Sequence, residues 1–163
     1  MEQIYSGLKQ FVLSAPFECR LAELSDEDTP LSAPKEKDVV FGVADLSRYE
    51  NPLLCVITPD AEEETDGAIG SVTMQTRVTV SFLCRGAQYP VLMRKMCRYA
   101  AAFRRAVQND STLAGLFEGA AFIKADFFPD AGTIEKQMTA CEIELEITHT
   151  EHITADTDNT EDW

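Results

Sequence analysis

The residues that could carry chemistry are few: two histidines, five cysteines and one regular row of glutamates. His149 and His152 stand three positions apart, with Glu151 and Asp156 as local companions for a metal. On a strand, positions i and i+3 point to opposite faces, so this spacing predicts solvent-facing histidines and no metal site. Cys19, Cys55, Cys84, Cys97 and Cys141 are odd in number, widely spaced and without a CxxC pair. They predict free thiols, mostly buried, and no disulfide framework. Cys84 and Cys141 fall on inward positions of predicted strands, where a thiol is inert, so no cysteine nucleophile is expected. The glycines at 67–70 and 115–119 lack the lysine and spacing of a phosphate-cradling loop, and neither GxSxG nor HExxH occurs. The sequence thus points to no catalytic residue, no metal and no cofactor.

The third feature is Glu142, Glu144 and Glu146 in an alternating segment. Same-face strand residues lie about 6.6 Å apart, where repulsion in water is roughly 0.6 kcal/mol per pair. Such a row predicts a solvated strand face, or an acidic surface shared by several subunits. A basic counterpart sits further up the chain: Arg94, Lys95, Arg98, Arg104 and Arg105, off the apolar stripe of a long helix. It is either a solvated face balancing acidic loops or a contact face for an acidic neighbour.

The elements that must position these groups follow from periodicity. Val72–Cys84 alternates with Val72, Met74, Val78, Val80, Phe82 and Cys84 on one face, and Ala140–His149 does so with Cys141, Ile143, Leu145 and Ile147. Leu92, Met96, Ala100, Phe103 and Val107 form a single helical stripe through Tyr89–Asn109, and Pro90 suits its first turn. Met1–Leu13 reads as a short helix that Ser14-Ala-Pro16 ends. Val39–Val43, Leu53–Ile57 and Ala120–Phe128 read as strands. Leu24–Asp38 reads as an exposed loop. The segment between Ile57 and Val72 carries Asp60, Glu62, Glu63, Glu64 and Asp66, and reads as a mobile loop or a hairpin tip that orders only on contact. These elements predict one α+β domain over residues 1–150: a mainly antiparallel sheet with a long helix and a short N-terminal helix on one face, then an acidic tail over 151–163.

Composition narrows the partners. The 163 residues carry a net charge of −14, which opposes general binding to nucleic acid or to an anionic membrane. No apolar run approaches the roughly 20 residues of a membrane span. The start, with Glu2 and Lys9, is unlike a signal peptide, so a cytoplasmic site of synthesis is expected.

The run from Pro90 to Val107, with Arg-Tyr-Ala-Ala-Ala-Phe-Arg-Arg-Ala-Val, follows a strongly alternating strand. It leads to the Ser-Thr-Leu-Ala-Gly turn at Ser111–Gly115, and the chain closes on Ile-Glu-Leu-Glu-Ile at Ile143–Ile147. This order resembles the tail terminator (tail completion) proteins of long-tailed bacteriophages and prophages, over about Val72 to His149, with Met1–Leu13 in place of their N-terminal helix. The resemblance implies a structural virion protein made in the bacterial host cytoplasm. It would form a homo-oligomeric ring, commonly hexameric, at the head–tail junction. The ring would cap the tail tube, join it to the head-closure proteins and pass DNA without binding it. In that setting the basic helix face would meet the acidic 60–66 segment of a neighbour, Ile69 and Leu31 would supply apolar affinity, and Glu142, Glu144 and Glu146 would line the channel. Two other classes stay open: another head–tail connector or tail-tube subunit, and a small cytoplasmic enzyme or ligand-binding protein.

Overall fold

The structure, a computed structural model, describes residues 1–42, 53–86, 88–130 and 138–152. Three helices, α1 (Glu2–Val12), α2 (Ala15–Leu24) and α3 (Tyr89–Asn109), pack against five strands: β1 (Val39–Phe41), β2 (Leu53–Ala68), β3 (Ser71–Arg85), β4 (Gly119–Phe128) and β5 (Met138–His152). The sheet order is β1-β2-β3-β5-β4, and only the short β1–β2 pair is parallel. The α+β architecture matches the two periodicities of the sequence.

Register explains the core. Val78 pairs with Leu145, Val80 with Ile143 and Phe82 with Cys141, so the alternating apolar positions of both strands face the same way. Leu92, Met96, Phe103 and Val107 of α3 join them in one buried cluster. At its centre the rings of Phe11, Phe17, Phe82, Tyr99 and Phe103 stack or meet edge-on, with centroids 4.8–6.1 Å apart. Such pairs add about 0.5–1.5 kcal/mol each beyond the area they bury. Leu54, Val56, Leu83, Met138 and Ala140 form a smaller buried cluster. They alternate with the main-core positions along their strands, which places them on the opposite face of the sheet.

Three local expectations change. The first helix ends at Val12, before Ser14-Ala-Pro16 as expected, but the chain then enters a second helix that the periodicity did not announce: Pro16 sits in the first turn of α2, where a missing N–H costs nothing. Phe17 and Leu21 of that helix are fully buried, four positions apart. Gly7 of α1 is forced by the approach of Phe117, whose ring carbon would lie 2.6 Å from an added Cβ. The 24–38 segment is mainly coil but is strapped down. Arg98 donates to the carbonyls of Leu24 and Thr29 and pairs with Asp26 at 2.7 Å, and the Tyr99 hydroxyl donates to the Ser32 carbonyl at 2.6 Å. β1 is shorter than the 39–43 strand expected and is buried only at Val39, with Phe41 exposed; Val43 lies outside the described residues.

The largest correction concerns the acidic segment. It is not a mobile loop: it is the hairpin of the second alternative, but paired within the chain rather than ordered only on contact. β2 runs on through Asp60, Glu62, Glu63, Glu64 and Asp66, paired to β3 as far as Ala68 opposite Ser71. Ile69 and Gly70 make the turn, with Gly70 at φ +88°, a region that glycine enters without strain. Each ladder hydrogen bond contributes about 0.5–1.5 kcal/mol, which outweighs the weak repulsion between carboxylates that point into water. Register shifts between Pro59 and Ala61 and between Glu64 and Asp66 bend the strand. β5 continues past His149 through Glu151 and His152, so the acidic tail does not begin at 151; Asp156 and the rest of that tail lie outside the described residues.

Candidate functional site

Residues 60–70 and their partners form an arm. Burial along β2 is complete from Leu53 to Ile57, then gives way to continuous exposure from Asp60. Nine residues from Asp60 to Ala68 span about 30 Å of extended chain, and Ile69 at the tip is fully solvent-exposed. β1 pairs only with Cys55, Val56 and Ile57. Among the described residues, the distal half of β2 is therefore one free edge of the sheet, and it carries the five carboxylates.

The other edge is β4, and its character differs. Ile123, Phe127 and Phe128 are exposed there at 48%, 39% and 40%. The register shift between Phe122 and Lys124 leaves Ile123 unpaired as a bulge. A long edge strand with exposed apolar side chains is a template for another chain, and a bulge and a lysine limit indiscriminate pairing. The Phe127-Phe128 doublet is the sequence signal that marks this edge as apolar. Next to it, Gly86, Tyr89, Leu92, Pro129, Asp130 and Thr139 line an open cleft of about 300 Å³.

The glutamate row lies on the sheet face away from the helices, opposite Ser81, Thr79 and Arg77 of β3. Glu142 is exposed, whereas Glu144 and Glu146 keep only 23% and 28% side-chain exposure. Lys124 lies 3.6 Å from Glu144 and Arg77 3.9 Å from Glu146. Asp60 accepts from Thr79 at 2.6 Å beside this row. The Lys124 amine is held above the usual lysine range, first by its hydrogen bond to Asp126 and then by the nearby carboxylates. The face is acidic, with two cations offsetting part of its potential.

The basic residues of α3 do not act as one surface. Arg98 is turned inward to hold the 24–38 segment as a strap, through Leu24, Asp26 and Thr29. Its hydrogen bond lowers the Asp26 carboxyl below the usual range and raises the guanidinium in turn. Arg104 leans toward β4, its guanidinium 6.0 Å from the centre of the Phe122 ring. Arg94 and Arg105 are exposed and Lys95 is half-buried. Leu31 packs against the main core, leaving Ile69 as the exposed apolar member of the pair singled out in the sequence.

His149 departs from its expected solvent-facing position. Its side chain is 11% exposed, and its Nε2 lies 3.8 Å from Glu62 and 3.4 Å from Glu151. Glu62 comes from β2 and the other two from β5, joined through β3: Glu62 pairs with Thr76, and Thr76 with Ile147. Thr76, fully buried, donates its hydroxyl to Glu62 at 3.3 Å. No spacing in the sequence reveals this trio, because Glu62 and His149 meet only through strand pairing.

The thiols are free. Burial pushes Cys84 and Cys141 up to about 12 and raises Cys55 further; Cys19 and Cys97 are exposed.

No family model matches the chain, and no curated protein matches it. Among solved structures, the chain is similar to the sheath/tube terminator of the extracellular contractile injection system PVC in its extended state, with TM-score 0.36 and 11% identity. The match covers 91% of this chain and 61% of that one, so the chain spans less than two thirds of that terminator's length. A likeness of this degree assigns neither family nor function.

Proposed function

We propose that the chain is a structural subunit of a phage-type tail, a tail terminator that joins copies of itself head to tail into a ring on the end of the tail tube. The observation that carries this reading is the unlikeness of the two sheet edges that are free among the described residues. One is a carboxylate-studded arm tipped by Ile69, and the other is an apolar strand with Ile123, Phe127 and Phe128 exposed. Unlike edges on one subunit suit a heterologous contact, which closes into a ring when the rotation between copies permits. The sequence resemblance supplies the context: the tube below, head-closure proteins above, and DNA passing through a virion assembled in the host cytoplasm.

In such a ring the apolar edge supplies affinity, and the exposed cations Arg94 and Arg105, with Arg104 beside β4, set register against an acidic neighbour. Exposed pairs contribute only about 0–1 kcal/mol each, so they govern partner choice more than strength. The glutamate face, turned toward the channel, repels phosphate, with Lys124 and Arg77 moderating its field.

Light scattering coupled to size exclusion tests the assembly, with the chain alone and with tail tubes. A weakly associating subunit that is captured as a ring on tubes is the expected result. A monomer at every concentration, with tubes present, refutes the reading. Arg94→Glu with Arg105→Glu is the informative charge reversal, since replacing Arg98 also frees the strap. The double variant should fold normally and fail to complete tails; normal fixed-length tails would reduce these arginines to a solvated surface.

A further inference from the structure

We propose that Glu62, His149 and Glu151 form a binding site for a divalent cation of the zinc type, which ties the hairpin arm to the end of β5. This inference does not depend on whether the chain assembles.

Three donor atoms, one imidazole nitrogen and two carboxylate oxygens, lie within 4.8 Å of one another. Their spacing is looser than that of a tight hydrogen-bonded trio, with Nε2 and Glu151 at the long end of hydrogen-bond distance. A charge-assisted N–H···O bond is about 2.7–2.9 Å long, yet Nε2 stands 3.4 Å from Glu151 and 3.8 Å from Glu62. Zinc holds nitrogen at about 2.0–2.1 Å and carboxylate oxygen at about 2.0–2.2 Å, so neighbouring ligands of a tetrahedron sit roughly 3.4 Å apart. The gap is long for a shared proton and close to the edge of a zinc polyhedron.

The setting of the ring is the second observation. The His149 side chain is 11% exposed, and its Nδ1 is buried with no hydrogen-bond partner among the described residues. Contact with the rest of the fold through polar atoms is therefore made at Nε2 alone, which faces two anions. A cation between them would satisfy Nε2 and both carboxylates at once, with the ring proton then on the buried Nδ1. The Thr76 hydroxyl holds Glu62 from behind at 3.3 Å, the supporting role that orients a ligating carboxylate. Glu62 and Glu151 are 32% and 53% exposed, so the outer side opens to solvent and leaves room for water as a further ligand. One nitrogen and two oxygens suit zinc or manganese better than magnesium, which prefers oxygen and retains its waters.

The cation would bridge β2 to β5 across β3 and remove two negative charges from the arm, where Glu62 has acidic neighbours on its own strand. The test uses the full chain carrying Cys19→Ser and Cys97→Ser, which removes the exposed thiols as competing zinc ligands. After chelator treatment and dialysis, zinc chloride is titrated calorimetrically, with magnesium chloride in parallel. One zinc per chain is expected, with magnesium bound at least about tenfold more weakly. Glu62→Gln and His149→Gln should each weaken zinc at least about tenfold, while Glu63→Gln, the neighbouring position whose side chain points to the opposite face, leaves it unchanged. Hydrogen exchange gives a second reading: zinc should slow exchange of the 60–68 amides in the parent and not in Glu62→Gln. The Glu62 variant replaces a part-exposed side chain and keeps the fold, so it stands even if the His149 variant does not fold. No zinc binding at millimolar metal, or binding equal in the parent and Glu62→Gln, overturns the proposal.

Discussion

β2 and β3 are each a single strand, yet their two halves live in different physical worlds. Below Ile57 every β2 residue from Leu53 is buried; from Asp60 onward every one is exposed. The backbone ladder is continuous through both halves. What changes is the layer above: the lower half is roofed by helices and aromatic rings, whereas the arm is held by hydrogen bonds and neighbouring strands. The comparison teaches that pairing alone can order a strand, but side-chain burial decides how firmly it is held and what it is free to touch.

The largest effect should come from the roofed half. Phe103, 0% exposed among Phe11, Phe17 and Phe82, should cost about 3–5 kcal/mol when replaced by alanine. Ile69→Ala at the tip should change stability by less than about 0.5 kcal/mol. Urea unfolding of both variants measures the contrast, and similar losses would erase it.

Thiol labelling sharpens the same contrast by reactivity. At mildly alkaline pH, Cys19 and Cys97 should react with an aromatic disulfide reagent at once. Cys55, Cys84 and Cys141 should react only on unfolding, because burial holds Cys84 and Cys141 near 12. Five fast thiols would mean that the sheet core opens readily.

Hydrogen exchange should separate the halves directly. Amides of 53–57 should exchange through global unfolding, and those of 62–68 through local opening, faster by about tenfold or more. Capture on a tail tube should slow the arm selectively. Equal protection in the free chain would show that the arm is as firmly held as the core.

The smallest effect concerns the strap. The Asp26 carboxyl is held below the usual carboxylate range, chiefly by its hydrogen bond to Arg98. A depressed folded pKa adds stability that is complete above the unfolded value and is lost as pH falls through the folded one. Amides of Leu31 and Ser32 should therefore gain exchange below about pH 4, ahead of the aromatic core, and Asp26→Asn should show that gain at neutral pH. A strap unchanged by acid and by this variant would mean that the Tyr99–Ser32 bond suffices.

Sequence by itself determined the elements whose side chains repeat. The stripe of α3 and the alternation of β3 and β5 are burial patterns written in residue order, and these elements closed on the expected faces because one-sided burial leaves a strand only one register. It also placed Glu142, Glu144 and Glu146 on the open face. Tertiary structure decided the rest. Asp60–Asp66 lacks any apolar period, so nothing local marks it as a strand; it is one because β3, already alternating to Val72, offers a second edge. Arg98 looked like its basic neighbours until the fold brought Asp26 and two carbonyls beside it. Leu31 looked available until the strap folded it inward. His149 looked solvent-facing until Glu62, 87 residues earlier in the chain, arrived through strand pairing. Periodicity records what one segment buries, whereas long-range contacts depend on which segments meet, and a one-dimensional pattern does not hold that information.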